Sequence, residues 1–301
     1  MKKNYLFGHI SQITSIILWT GAIVVTKIVT IGFSPFMIVP LQMSIGTIII
    51  FLIFFLTRKK IYSKGVISGV LFGLIAPGLA FSFLMLASTK TDALSMIIFW
   101  SLLPLLTPIF GKIFLSERIS PILYVGLTIA LFGTYLLIYM RSSQGTSNTI
   151  GNVFAVCGVF CSIIGHIIGR GFNKKLSKPA EMALGQVLGA TITSSFILLI
   201  NVIIVDFNIN ELIYITDLLF MPAFIYLVIF GTVINFLLYN FALSKIEVAW
   251  VSFYSVFIPP LGAIFSFIIL DEKLSHYDMV AISIIFFGSL IPPIHKFIFS
   301  K

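Results

Sequence analysis

Charge is what this 301-residue chain has least of. Only 10% of its residues are Asp, Glu, Lys or Arg, against about 25% in soluble domains, while 59% are hydrophobic. So little polar surface excludes a water-soluble globule and implies a polytopic membrane protein. Cysteine is nearly absent: Cys157 and Cys161 lie one helical turn apart in an apolar run. That count excludes a disulfide framework, and both act as small hydrophobes. No Walker A sequence, no G-x-G-x-x-G between strand and helix, no H-E-x-x-H and no metal-spaced Cys/His/acid cluster occurs. The expectation is therefore a non-enzyme without cofactors or metal.

The acids are absent from one place in particular. Asp92, Glu117, Glu181, Asp206, Glu211, Asp217, Glu247, Asp271, Glu272 and Asp278 all lie in loops or within a turn or two of a run's end. A proton-coupled exporter of organic cations needs a carboxylate at mid-bilayer. Neutral, zwitterionic or anionic solutes suit this chain better.

What is present is a series of apolar runs of bilayer length, about 20 residues each. They cover roughly 9–32, 35–57, 65–88, 93–115, 121–140, 150–171, 180–205, 219–243, 247–270 and 276–298. Strict alternation is missing, so they are helices rather than barrel strands. The N-terminal run has no prompt small-residue cleavage site and is expected to be a retained first helix. The net charge of +9 could suggest nucleic acid, but its distribution points to membrane topology. With the N-terminus inside, fifteen of the 19 Lys and Arg residues fall on the inner side, and only Lys27, Lys90, Arg141 and Lys273 on the outer. The positive-inside rule then predicts both termini in the cytoplasm of a cell-membrane protein, and no nucleic-acid partner.

The chain also repeats itself. FWSLLPLLTPIFGKIFLSERIS, 99–120, aligns with FYSVFIPPLGAIFSFIILDEKLS, 253–275. At an offset of 155, Pro104 meets Pro259, Glu117 meets Glu272, Lys90 meets Lys245 and Gly133 meets Gly288; at 143 or 144, Lys27 meets Arg170 and Gln42 meets Gln186. Five runs per copy is an odd number, so the second copy must enter the membrane inverted. The predicted fold is all-α: ten transmembrane helices as a 5+5 inverted repeat, with residues 1–141 and 150–301 as the repeats and 142–149 between them.

Candidate site residues follow from polarity at depth. Pro104 and Pro259 fall near the middle of their runs, where proline frees the carbonyl four residues earlier, those of Trp100 and Ser255. Each kink either lines a cavity or only shapes packing. Trp100, Ser101, Tyr254 and Ser255 surround the kinks as an aromatic wall with hydroxyls. Asn235, Tyr239 and Asn240, and the matched Gln42 and Gln186, either line a cavity or bond helix to helix. Lys27 and Arg170 either snorkel to the interface or attract a substrate carboxylate, with His166 one turn before Arg170. Glu117 and Glu272 are expected at opposite faces, in structural roles at the turns.

With these residues in view, the chain resembles the drug/metabolite transporter superfamily, in particular its EamA-type ten-helix permeases. The resemblance covers about 9–298. It is carried by Trp19 and Lys27, by Pro104 with Glu117, by Gly133, and by Pro259, Glu272 and Gly288, the L-x-E-[RK]-x-S ends of runs four and nine being its most specific part. It implies two inverted five-helix bundles with a small solute passing between them, and places Trp19 in the cavity. Such proteins commonly export amino acids and other metabolites. Where the family frequently has a basic residue in its second helix, this chain has Gln42. The expected function is alternating-access transport by a monomer or homodimer in the bilayer, most simply export of amino acids or related compounds. The alternatives are an uptake permease for nucleotide- or sugar-like solutes, a lipid-modifying membrane enzyme, and a non-transporting scaffold or sensor.

Overall fold

The computed structural model describes residues 2–32, 34–115, 121–143, 148–176, 178–204, 220–246, 251 and 254–299, and no strand occurs among them. The helices are α1 (Lys2–Gly32), α2 (Pro35–Leu56), α3 (Ser63–Ser88), α4 (Ala93–Ser101), α5 (Leu103–Leu115), α6 (Pro121–Ser143), α7 (Thr149–Leu176), α8 (Pro179–Ile204), α9 (Phe220–Lys245), α10 (Ile258–Leu270) and α11 (His276–Phe299). Six of them, α1, α2, α3, α7, α8 and α9, are long and apolar enough to cross a membrane, and α10 and α11 hold shorter apolar stretches. Glu117, Arg118 and Glu247 lie outside the described residues, as do the side chains of Ser101, Pro104 and Arg170.

The fold is inside out relative to a soluble protein. Apolar stripes at helical spacing face outward: Ile48, Phe51 and Phe55 on α2, Phe196, Leu199 and Ile203 on α8, Ile264, Phe267 and Ile268 on α10. The buried polar side chains include Gln12, Gln42, Gln186, Asn235 and Asn240. Outward stripes of this extent bury their area only against lipid. Hydroxyls inside the helices are satisfied locally, as lipid requires. Thr20 donates to the Ile16 carbonyl, Thr26 to Ala22, Thr47 to Met43 and Thr107 to Leu103.

Helix contacts are reciprocal between the two halves. α1 packs on α9, and α7 on α3; α2 packs on the wide turn of α9, and α8 on that of α3; α1 meets α10 as α7 meets α5. Two pairs lie on the line of symmetry, α2 with α8 and α6 with α11. Glycine allows the closest approaches. A methyl group built on Gly73 would strike the Gln186 carbonyl, and one on Gly185 the Val66 carbonyl. The matched Gly133 and Gly288 face each other's helices: Gly133 lies against Ala281, Ile284 and Ile285 of α11, Gly288 against Gly126, Ile129 and Ala130 of α6.

The expected kinks at Pro104 and Pro259 are corrected. The run 93–115 is two helices, α4 and α5, broken at Leu102, and Pro104 is the second residue of α5. Pro259 likewise lies in the first turn of α10, after a 3-10 turn at Ser255–Phe257. Proline is at ease there because the first N–H groups of a helix have no intrahelical partner to lose. The sharpest interior break is elsewhere, in α3. At Ala76 the backbone leaves the helical region (φ −134°, ψ 109°) just before Pro77, inside a wide π turn over Leu74–Leu79. α9 carries a second wide turn over Leu227–Ile234, and the offset of 155 takes Pro77 to Thr232.

Candidate functional site

A helix that widens or breaks inside lipid leaves carbonyls without partners, and something must donate to them. Here the donors are the two matched glutamines, each reaching into the other half. Gln186 of α8 donates from Nε2 to the Ala76 carbonyl at 3.3 Å, and Thr193 donates to the Leu74 carbonyl at 2.8 Å. Gln42 of α2 donates to the Leu227 carbonyl at 3.3 Å and to the Thr232 hydroxyl at 2.8 Å. Thr232 in turn donates to the Leu227 carbonyl at 3.0 Å. Gln42 does not line the cavity described below; its amide N–H groups are committed to α9.

The other break opens onto a cavity of about 120 Å³, room for on the order of ten waters at the ~10–15 Å³ each requires. Both halves build it. α1 contributes Gln12, Ser15, Ile16 and Trp19; α3 contributes Phe72, Ala76, Pro77 and Phe81; α4 and α5 contribute Trp100, Leu103, Thr107 and Gly111. From the second half come Ser162, His166, Ile167 and Gly169 of α7, Gln186 of α8, Asn235, Phe236, Tyr239 and Leu243 of α9, and Val251, Ser255 and Ile258. Three pairs of these are repeat mates at an offset of 155: Phe81 with Phe236, Trp100 with Ser255 and Leu103 with Ile258.

One end of the cavity is an aromatic floor. Trp19 stacks on Phe81 at 4.8 Å between ring centroids and meets Trp100 edge-on at 5.3 Å, while Phe81 and Phe236 lie 6.1 Å apart. Among the described lining residues, none of α1 lies beyond Trp19, none of α3 beyond Phe81, and none of α4 before Trp100. From that floor the lining runs toward Gln12, Gly111, Gly169 and Leu243. On its wall His166 stacks against Tyr239 at 5.8 Å and presents an edge to Phe72 at 6.4 Å.

Beyond the floor the bundle is closed. Lys27 lies eight residues past Trp19, about 12 Å along the helix. Its ammonium donates to the carbonyls of Ser88 at 2.7 Å and Thr91 at 2.8 Å, and the carboxylates of Asp92 and Glu272 act on it electrostatically. Asp92 caps α4 through the Ser95 N–H at 2.8 Å, and Glu272 accepts from the Ala93 N–H at 3.1 Å. Ser88 donates to Thr30, and Thr91 to Asn152. Lys27 thus ties α1 to the α3–α4 turn and does not reach the cavity. Glu272 belongs to the same closure, bonded across the halves to α4. In the same connection as Glu272, Ser275 and Asp278 bond reciprocally at the start of α11.

The structure therefore brings together Trp19, Trp100, Asn235, Tyr239, Ser255 and His166. It leaves out Gln42, Lys27, Pro259 and Tyr254, the last of which shares a 2.8 Å hydrogen bond with His9 instead. Sequence reasoning missed much of the lining, Pro77, Gln12 and Ser15 among it. Pro77 stands in an Ala-Pro-Gly triplet that marked the break in α3, and Gln12 and Ser15 share a helical face with Trp19. Ser15 donates to Asn235 Oδ1 at 2.6 Å, Gln12 donates to the Val251 carbonyl at 3.2 Å, and Asn240 donates to Gln186 Oε1 at 2.9 Å. Among the described lining residues none is Asp, Glu, Lys or Arg.

Comparison with known proteins adds the family. The profile of the EamA-like transporter family matches residues 6–139 and again 149–291. Twenty-seven solved chains match in fold. One of them, a crystal structure of a protein 18% identical, superposes with a TM-score of 0.65 over 97% of this chain and 96% of its own. At that identity the likeness shows the fold alone. No curated protein matches. Two copies of the family profile cover nearly the whole chain, and the protein belongs to the EamA-like transporter family: it is a multi-pass membrane transporter of small solutes.

Proposed function

We propose that this EamA-like transporter moves a compact, uncharged or zwitterionic metabolite by alternating access, most simply as an exporter of amino acids or related compounds. The observation that carries this reading is the cavity: eight helices from both halves, α1, α3, α4, α5, α7, α8, α9 and α10, contribute to its wall, and its described lining holds polar groups without a formal charge. A fixed carboxylate would favour cations, and a fixed cation would favour anions. Neither is present among the described lining residues. A volume of about 120 Å³ suits a solute of amino-acid size better than a large drug.

The mechanism follows from the inverted repeat. Ten spans with both termini in the cytoplasm satisfy the distribution of Lys and Arg. In that orientation the Lys27 closure faces outward and the cavity runs toward the cytoplasm, the state in which an exporter loads. The same offsets that relate the halves carry Lys27, Asp92 and Glu272 onto Arg170, Glu247 and Glu117, so the repeat supplies a matching set of charges for the opposite end. Rocking of one half against the other proceeds at the wide turns of α3 and α9, where hydrogen bonds come from side chains and the helical ladder is already interrupted.

The test is a flux screen in liposomes with labelled amino acids, nucleosides and sugars, with and without a pH gradient. Saturable flux of one zwitterionic or neutral class is expected. Flux confined to organic cations would overturn the reading, and a requirement for the gradient would distinguish proton antiport from facilitated diffusion.

A further inference from the structure

Two side chains that line the cavity each carry a polar atom with no partner among the described residues. Gln12 is 1% exposed and Trp100 is 4% exposed, and both line the cavity. Gln12 Oε1 and Trp100 Nε1 are buried without a hydrogen-bond partner among the described residues. Buried polar atoms are ordinarily paired, and an orphan next to a cavity points to a ligand or water that completes it.

The two orphans are chemically opposite. The indole N–H can only donate, and an amide oxygen can only accept. The amide of Gln12 is oriented by its own second bond: Nε2 donates to the Val251 carbonyl at 3.2 Å, and the reversed amide would set two carbonyl oxygens against each other. The Trp100 ring is held edge-on against Trp19 at 5.3 Å. The neighbouring polar groups are engaged, Ser15 with Asn235 and Gln186 with both Ala76 and Asn240.

We propose that Gln12 and Trp100 are the specificity-determining pair of this cavity, selecting solutes that present an acceptor to the Trp100 indole and a donor to the Gln12 amide oxygen. This rests on the transport reading of the same cavity, but its chemistry is that of binding. A solute equipped with both groups completes the cavity. One with a single group leaves the other orphan buried, which discriminates more strongly than a lost apolar contact. The repeat mate of Trp100 is Ser255, so the indole donor stands on one side of the symmetry line only.

The test is binding by the purified full-length protein in detergent, read by calorimetry, with four probes sharing one apolar tail: leucine, 4-methylpentanamide, 4-methylpentanoate and 3-methylbutylamine. Leucine and the amide carry donor and acceptor without net charge and are expected to bind at least tenfold more tightly than the acid or the amine. Gln12→Met is expected to weaken leucine and the amide roughly tenfold, the worth of about one hydrogen bond, and to leave the acid unchanged. Trp100→Phe is expected to weaken every acceptor-bearing probe and to leave the amine unchanged. Melting temperatures of the ligand-free variants report folding, and Gln12→Leu is the second variant should Gln12→Met fold poorly. Equal binding of all four probes, no binding of leucine or the amide, or variants that weaken all probes alike would overturn the proposal. Selective binding without flux in liposomes would instead overturn the transport reading, whereas flux indifferent to both substitutions would keep transport and remove the pair.

Discussion

Gln42 and Gln186 stand at matched places in the two repeats and do the same work for opposite halves, yet only Gln186 lies on the cavity. Each donates to a carbonyl released by a wide turn in the partner half. The turn that Gln42 serves is closed by the Thr232 hydroxyl, which occupies the place that Pro77 holds in the other copy. The turn that Gln186 serves, with its proline, forms part of the cavity wall. Both halves thus share the same scaffold, and single-residue differences within it leave one break in helix packing and the other on the cavity wall. The tryptophans follow the same rule: Trp100 faces the cavity where its mate is Ser255.

The strongest way to break this comparison is to attack the contact that holds α8 against α3, beside the turn that Gln186 serves. Gly185→Val sets a branched side chain against the Val66 carbonyl, where α3 and α8 touch backbone to backbone. Overpacking of this kind costs about 1–3 kcal/mol or more, and a lowered melting temperature in detergent is the expected outcome. An unchanged melting temperature would mean that the helices are farther apart.

Sharpening it needs the glutamines separately. Gln186→Leu should destabilise by about 1 kcal/mol, since it strands the Ala76 carbonyl, and Gln42→Leu by less, since the Leu227 carbonyl keeps the Thr232 hydroxyl. Solute flux should fall only for Gln186→Leu; equal loss in both would erase the asymmetry. A smaller effect is expected from Lys27→Met, which deletes two bonds to carbonyls at the closed end. Folding should persist, while a cysteine introduced at Ser88 gains reactivity toward a membrane-impermeant reagent. The smallest perturbation concerns topology alone: cysteines replacing Lys60 and Asp206 should label from opposite faces of the membrane, and labelling from the same face would contradict the inverted repeat.

Much of the fold was legible in the sequence because lipid makes few demands and makes them everywhere. Bilayer length set the runs, and the offset of 155 matched Gly133 with Gly288, though only the structure shows each lying against the other's helix. The site was less legible. A proline in mid-run suggests a kink, but whether a helix breaks before it or continues through it depends on neighbours. Pro104 and Pro259 begin helices, while Pro77 interrupts one. A polar residue at depth must find a partner, and the sequence cannot name which carbonyl awaits it. For that reason Gln42 and Lys27 were candidates for the solute and proved to be bonded to backbone, while Gln12 passed unnoticed beside Trp19.

Access to the cavity tests the central claim most directly. With Cys157 and Cys161 replaced by serine, a single cysteine at Ser162, on the cavity wall, should react with an impermeant reagent from the cytoplasmic face at rest. During solute turnover it should react from both faces. Labelling from neither face, or from the outer face alone at rest, would contradict a cavity that opens alternately between two inverted halves.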